Sequence, residues 1–393
     1  MSRAIIILTL SYMLSQFYRA FLAVLAPALE ADLGAMPDDL ARASGLWFLI
    51  FALMQVPVGW ALDIIGPRRT ASTLLAIGGA GGAALFAMAT QVWHIDAAMV
   101  LIGIGCSPVL MACYYILARN SRPAVFATYA GAVLGFGSLG NLAAALPMTL
   151  AAQALGWRGA LAALAMITLA AALAILVLVR DPPSAEKSDG RRGSVLDLLR
   201  MPILWPLFAL MFVNYAAAGG IRGLWIGPYL DDVYSASDTV IGTASLVMGL
   251  AMVIGNFVYG PMDRILGTRK WVALAGNLLG GTGCLILAAA PTAGIIQATL
   301  LMALVGFMGA SFAVLIAHAR SFIPAHLTGR GVTLMNLFGV GGVGVMQLIT
   351  GRVFAASTGP APPADAYAVT FLIYGAALFI GCAFYLFARD SVD

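Results

Sequence analysis

The chain has 393 residues, of which 62% are hydrophobic and only 10% charged, and its formal net charge is +4. Soluble domains carry about 25% charged residues, so this composition excludes an ordinary soluble protein and indicates one that crosses a lipid bilayer. The four cysteines lie in apolar stretches and form no CxxC pair, which argues against a disulfide framework, a zinc site or redox chemistry. We expect no cofactor and no nucleic-acid partner.

Apolar runs of bilayer length occur six times on each side of one long polar stretch. They fall at approximately 4–29, 42–64, 70–91, 94–118, 125–151, 159–179, 203–230, 239–262, 270–290, 293–317, 330–355 and 366–388. The polar stretch Arg180–Arg200 is rich in proline, serine, glycine and charge, which is typical of a linker. The sequence therefore predicts an all-α polytopic membrane protein with six-helix bundles at 1–179 and 203–393 and a cytoplasmic linker at 180–202.

The positions of the basic residues predict the orientation of these twelve spans. With the N-terminus inside, sixteen arginines and lysines lie on the cytoplasmic side, and only Arg42, Arg158 and Arg352 lie outside. This asymmetry follows the positive-inside rule. We expect a multi-pass protein of the bacterial inner membrane, acting as a monomer, with both termini in the cytoplasm.

A segment between spans 2 and 3 is repeated between spans 8 and 9. Gly59–Arg69, GWALDIIGPRR, reappears as Gly260–Lys270, GPMDRILGTRK, and the same offset of 201 residues carries Gly66 to Gly267. The offset also fits other regions of the chain, so two homologous halves are predicted. A parallel repeat built of apolar spans is typical of secondary transporters.

The first copy resembles the signature of the major facilitator superfamily, G-x-x-x-D-(R/K)-x-G-x-(R/K)-(R/K). The matching residues are Gly59, Asp63, Gly66, Arg68 and Arg69. The resemblance covers essentially the whole chain. It implies two pseudo-symmetric six-helix halves and a transporter that works by alternating access, not an enzyme.

The same loop is the candidate gate on the cytoplasmic side. An acid at the end of span 2 can cap the positive N-terminus of a neighbouring helix, and Gly59 lets two helices approach closely. The resemblance implies that Asp63 caps span 11 near Gly331 and holds this side shut. Arg68 and Arg69 belong either to the gate or only to the topology signal.

The second copy of the loop departs from the first. Asp263 and Arg269 are its candidate gate residues, but the acid has moved by one position and Arg264 stands where symmetry would place it. The first copy is therefore expected to be the stronger gate.

Two arginines, Arg19 in span 1 and Arg222 in span 7, are the charges predicted within the hydrocarbon depth. A charge there is expensive and usually functional. Arginines without a neighbouring acid would attract a carboxylate, a phosphate or another anionic group. The alternative is that one or both extend to the outer interface, where Glu30 or Asp231 and Asp232 would neutralise them.

Further polar and aromatic side chains of the spans are weaker candidates for binding the solute, because such groups more often bond helix to helix. They are Gln16, Tyr18, Trp47, Tyr114, Tyr115, Asn214, Tyr215 and Asn336. Tyr18 and Arg19 are adjacent, so they cannot point the same way from a helix.

The substrate is left open between several classes. We favour a small polar, anionic solute, with uniport, exchange or a coupling ion unresolved. Met248 and Met252 lie one helical turn apart and are candidate Cu(I) ligands. This pair of methionines resembles a bacterial copper-importing branch of the superfamily. The wider group that contains this branch also includes importers of vitamins such as riboflavin, so a vitamin is a further alternative. A sensor built on a transporter fold is the alternative of another class. A membrane enzyme would need a catalytic cluster that these spans lack.

Overall fold

All regular structure in the computed structural model, which describes residues 3–120, 123–181, 195–324, 327–357 and 363–391, is helical. Ten helices are long and apolar enough to cross a membrane, and the bent pair Ala4–Phe17 and Leu22–Leu33 makes an eleventh span. Helix Pro123–Ala143 lies at the remaining position in the chain order. The all-helical, two-half membrane fold expected from the sequence is confirmed.

The first half contains spans 1 to 6. Span 1 consists of Arg3–Phe17 and Leu22–Leu33, span 2 of Pro37–Leu53 and Gln55–Ile64, span 3 of Pro67–Leu74, a π-helical turn Leu75–Ala80 and Gly81–Ala87, and span 4 of Val92–Cys106 and Val109–Asn120. Pro123–Ala143 begins span 5, and helix Leu146–Leu178 follows. Gly156, with φ of 70°, breaks that helix, so residues 146–155 complete span 5 and residues 157–178 form span 6.

The second half follows a short helix, Val195–Leu199. Span 7 consists of Pro202–Leu204, Trp205–Gly220, a π-helical turn Ile221–Trp225 and Ile226–Tyr234. Span 10 consists of Ile295–Gly309 and Phe312–Arg320. The other spans are single helices: span 8 is Asp238–Leu266, span 9 is Lys270–Ala289, span 11 is Thr328–Ser357 and span 12 is Pro363–Tyr385. The chain divides into two compact units, Met1–Asp189 and Gly190–Asp393. This division falls inside the predicted linker.

Interruptions of the helix recur in corresponding spans of the two halves. Span 1 is broken at 18–21 and span 7 has its π turn at 221–225, while span 4 is broken at 107–108 and span 10 at 310–311. Spans 2, 3 and 5 are also interrupted, but their counterparts 8, 9 and 11 run as single helices. Broken helices in corresponding positions of a repeat point to the solute site of a transporter.

Glycines bring helices into backbone contact in both halves, and spans 1 and 7 each take part in one such contact. A Cβ on Gly140 of span 5 would overlap the carbonyl oxygen of Met13 in span 1. A Cβ on Gly342 of span 11 would overlap the carbonyl oxygen of Phe212 in span 7. Small residues are needed at such contacts because a side chain would separate the helices. The interrupted spans 1 and 7 are therefore each held against an adjacent helix.

Candidate functional site

Arg19 lies in the break of span 1. The two parts of this span meet at an angle of 49°, and the backbone N–H of Arg19 bonds to the carbonyl oxygen of Gln16 over 3.4 Å rather than to that of Ser15. The turn at 18–21 thus replaces regular helix at the position of the arginine. Interruption of the helix and an intramembrane charge coincide here, and each marks a functional position.

The guanidinium of Arg19 contacts aromatic rings instead of an acid. Its central carbon lies 4.9 Å from the ring centroid of Phe51 and 5.6 Å from that of Trp47, which is within the range of cation–π attraction. Its Nε is buried and has no hydrogen-bond partner in the described part of the chain. Arg42 and Arg158, in contrast, form ion pairs with acids near the ends of their spans. Arg19 is therefore a half-buried cation that keeps hydrogen-bonding capacity.

Two neighbouring side chains also keep unused hydrogen-bonding atoms. Gln16 is 8% exposed and donates through Nε2 to the Tyr12 hydroxyl over 2.9 Å, whereas its Oε1 has no partner in the described residues. Trp47 is fully buried, and its indole N–H is likewise without an acceptor there. Unsatisfied buried groups are costly and rare in folded proteins. Their presence beside Arg19 indicates a polar ligand.

Tyr18, the residue next to Arg19, has a different role. It is fully buried, and its hydroxyl lies 2.8 Å from the Thr168 hydroxyl of span 6. Thr168 in turn donates to the carbonyl oxygen of Leu164 in its own helix. The bond joins spans 1 and 6 and uses the Tyr18 hydroxyl for packing, which favours the helix-to-helix alternative for this candidate.

Arg222 lies in the π-helical turn of span 7 and is only 3% exposed. This burial favours a position inside the helix bundle over the alternative in which Arg222 extends to the outer interface. Gln347 donates through Nε2 to the carbonyl oxygen of Gly220 over 3.3 Å, and a Cβ on Gly220 would overlap the hydroxyl of Tyr374. Spans 11 and 12 therefore hold the turn that carries Arg222. Tyr215 packs 5.5 Å from Phe312 and is close enough to Arg222 to interact electrostatically.

Asn214 belongs to a buried network of three helices in the second half. Its Nδ2 donates to Asn277 Oδ1 and to Ser311 Oγ, each over 2.8 Å. Asn277 also donates to Ser311 Oγ over 3.2 Å. The network ties span 7 to spans 9 and 10 at the break of span 10 through Nδ2 of Asn214, whereas Oδ1 of Asn214 is buried and has no hydrogen-bond partner in the described residues.

Three other candidates are less buried than Asn214. Tyr114 and Tyr115 are half-buried at the edge of the apolar core of the first half, and Asn336 is half-buried in span 11.

Met248 and Met252 both pack against Gly306 of span 10, where a Cβ would lie 3.0 Å from each Cγ. Packing thus explains the spacing of the two methionines without a metal.

The first copy of the loop is held by an acid that the sequence analysis did not identify. The backbone N–H of Arg68 donates to Oδ1 of Asp181 over 2.7 Å, and the carboxylate packs against Gly66, whose φ is 95°. Asp181, which follows span 6, therefore caps the N-terminus of span 3. The side chain of Asp63 lies outside the described residues. Among the described residues, nothing lies within 4 Å of a Cβ built on Gly59, so the structure shows no close helix approach there in the part of the chain that it describes.

Arg68 and Arg69, the basic residues of this first copy, differ in exposure. Arg68 is half-buried, and its Nε has no hydrogen-bond partner in the described part of the chain. Arg69 is exposed. Nothing in these contacts decides between a gate and a topology signal for either residue.

The second copy is held by a corresponding acid and by an ion pair. Asp390, which follows span 12, accepts hydrogen bonds from the Thr268 hydroxyl and from the backbone N–H groups of Arg269, at 3.3 Å, and Lys270, at 3.0 Å. Arg269 Nε also pairs with Asp263 over 3.0 Å, and both side chains are almost buried.

A repeated dipeptide in the sequence marks the two capping acids. Arg180–Asp181 ends the first half, and Arg389–Asp390 ends the second. Partial burial alone would raise the pKa of Asp390, but the hydrogen bonds from Thr268, Lys270 and Arg269 hold it below its ordinary value of 3.8. Asp390 is therefore a charged cap at neutral pH.

The family model of the Major Facilitator Superfamily matches residues 8–226 and again 207–393, and no curated protein matches the chain. A bacterial homologue of the human lysosomal transporter Spinster, in an inward-facing and occupied conformation, is similar with a TM-score of 0.79 and 18% identity over 97% of this chain and 95% of that one. A D-xylose–proton symporter is similar with a TM-score of 0.79 and 14% identity over 98% and 97%. At such identities the likeness shows the fold. Because the family model accounts for both halves, the chain belongs to the Major Facilitator Superfamily of membrane transporters.

Proposed function

We propose that this member of the superfamily is a secondary transporter of the inner membrane that moves a small polar, anionic solute by alternating access. The observation that carries the proposal is Arg19, a cation in the break of span 1 whose Nε has no partner among the described residues. An arginine kept within a span without a paired acid is costly unless it serves a ligand. Ion pairs satisfy the arginines at the outer ends of spans 2 and 6, whereas Arg19 forms no ion pair with the described residues.

The second half supports the same proposal. Arg222 occupies the interruption of span 7, the counterpart of span 1, and the turn around it is held by Gln347 and Tyr374. In transporters built from repeats, the solute binds between the repeats and discontinuous helices supply polar groups to it. We infer that Arg222 is a second cation of the solute pathway, at the counterpart position of its own half.

Transport by the purified protein tests this proposal. A thermal-stability screen across carboxylates, nucleobases, vitamins and Cu(I) first identifies a ligand, because a ligand of the folded state raises the unfolding temperature. Uptake of that ligand is then measured in proteoliposomes. We expect an anion, and we expect Arg19→Ala to abolish its uptake while the protein still folds.

Arg352→Ala is the matched control, since it removes an exposed arginine at the predicted outer end of span 11. Its uptake should equal that of the unmodified protein. Unchanged uptake in Arg19→Ala would remove Arg19 from the site, and a stabilising ligand that is never taken up would favour a sensor over a transporter.

A further inference from the structure

The central carbon and the Nε of the Arg19 guanidinium lie in different surroundings. The central carbon lies over the rings of Trp47 and Phe51, which are themselves stacked with centroids 5.1 Å apart. The Nε is buried and has no partner in the described residues. Nε and the adjacent Nη form a planar fork that matches the two oxygens of a carboxylate.

The charge around Arg19 limits the charge of the ligand. In spans 1 to 6, the arginines other than Arg19 whose side chains the structure describes either pair with acids, as Arg42 and Arg158 do, or lie in the loop beside Asp181. One guanidinium neutralises one negative charge. A phosphate ester or a dicarboxylate would bring to the Arg19 break a second negative charge for which the described side chains of this half supply no further cation, and burying it would be costly.

A second polar group of the ligand is indicated by the atoms beside the arginine. The buried indole N–H of Trp47 requires an acceptor. Gln16 uses one end of its amide on Tyr12, so whichever way the amide is turned its other end stays unpaired in the described residues. A hydroxyl group can accept from the indole and bond with the amide at the same time. The backbone N–H of Arg19 bonds to the carbonyl oxygen of Gln16, so the two residues are one turn apart at this end of the helix.

From these three features we propose that the solute is a monocarboxylate that carries a hydroxyl or similar uncharged polar group, with its carboxylate on the edge of Arg19 and its second group between Trp47 and Gln16. This inference rests on the proposed function, because it assigns the ligand of the same site.

Thermal unfolding of the purified full-length protein tests the assignment with two matched series, each of which contains a hydroxy acid, the corresponding simple acid and its amide. The first series is lactate, propionate and propionamide, and the second is mandelate, phenylacetate and phenylacetamide. We expect the hydroxy acid of at least one series to stabilise the protein most, the simple acid less, and the amide and methyl phosphate not at all. Arg19→Gln should weaken binding of the hydroxy acid at least about tenfold, and Arg19→Lys should recover part of it. Trp47→Phe should remove the advantage of the hydroxy acid over the simple acid. Trp93→Phe, which changes an exposed tryptophan, and Arg352→Gln are the matched controls.

Three outcomes would overturn the assignment: an amide or methyl phosphate that stabilises as well as the acid, full binding by Arg19→Gln, or no stabilisation by any acid of either series. Uptake of the labelled hydroxy acid in proteoliposomes separates this result from the proposed function. Binding without uptake would refute transport and leave the ligand assignment in place. Uptake of a neutral or phosphorylated solute that depends on Arg19 would refute the assignment and leave the transporter in place.

Discussion

The two copies of the repeated loop are held in their halves by unequal sets of bonds. In the first, Asp181 accepts one backbone hydrogen bond, from Arg68, and Arg68 Nε has no partner in the described residues. In the second, Asp390 accepts three hydrogen bonds, and Asp263 forms a nearly buried ion pair with Arg269. The acid of the second loop is thus engaged within its own half. The comparison indicates that the second copy is a structural clasp within its half, whereas a gate at the first copy stays a prediction.

Replacing the acid of each loop should separate a gate from a clasp, and this is the largest effect expected. Asp63→Asn should lower transport about tenfold, as a shift of about 1.4 kcal/mol away from the closed state would do. Asp263→Asn should mainly lower the free energy of unfolding, by about 3 kcal/mol, because Arg269 would remain nearly buried without its acid. Uptake in proteoliposomes and thermal unfolding in detergent measure the two effects.

The double variant Asp263→Asn with Arg269→Gln is the control for the clasp. It should regain much of the lost stability because neither charge remains. Equal loss of transport in Asp63→Asn and Asp263→Asn would contradict the comparison.

Substitution of the contact glycines should lower the free energy of unfolding by similar amounts in the two halves. Gly140→Ala and Gly342→Ala each place a methyl group against a backbone carbonyl of the neighbouring span, so each should cost about 1–3 kcal/mol. Gly59→Ala, where nothing lies within 4 Å of the added carbon, should be neutral or slightly stabilising. Thermal unfolding measures all three. A tolerated Gly342→Ala beside a damaging Gly140→Ala would show that the halves differ in packing as well.

Removing either capping acid should lower the free energy of unfolding by a smaller amount, and this amount should differ between the two copies of the loop. Asp181→Asn should cost about 1 kcal/mol, the usual value for a lost helix cap, and Asp390→Asn should cost more because three donors lose a charged acceptor. Asp365→Asn, at an exposed acid in the first turn of span 12, serves as the control. A larger loss of stability from Asp181→Asn than from Asp390→Asn would contradict the stronger cap assigned to the second loop.

The pH dependence of the second cap is the smallest expected effect. Hydrogen bonds to the charged carboxylate lower the pKa of Asp390, so their stabilisation is present above the ordinary value of 3.8 and is lost as the pH falls below it. The difference in unfolding temperature between the unmodified protein and Asp390→Asn should be constant from about pH 7 to pH 5 and should narrow below about pH 4. A difference that grows on acidification would refute the charged cap.

The sequence by itself determined the broad design of this protein. Runs of apolar residues predict membrane helices because backbone groups in lipid must bond within their own segment, and this rule acts locally. The offset of 201 residues identified the two halves, and the motif around Asp63 identified the superfamily. Arg19 was identified as a candidate because a charge within an apolar span is visible in the sequence alone.

The partner of each polar side chain was decided only by the tertiary structure. Tyr18 bonds to Thr168, Asn214 to Ser311 and Arg68 to Asp181, across 150, 97 and 113 residues of sequence. Which groups meet depends on the rotation of each helix about its axis and on the breaks and glycine contacts that set its path. For this reason the sequence could name both Tyr18 and Arg19 as candidates, and only the packing of spans 1, 2 and 6 showed that Tyr18 bonds to Thr168 while Arg19 lies over the rings of Trp47 and Phe51.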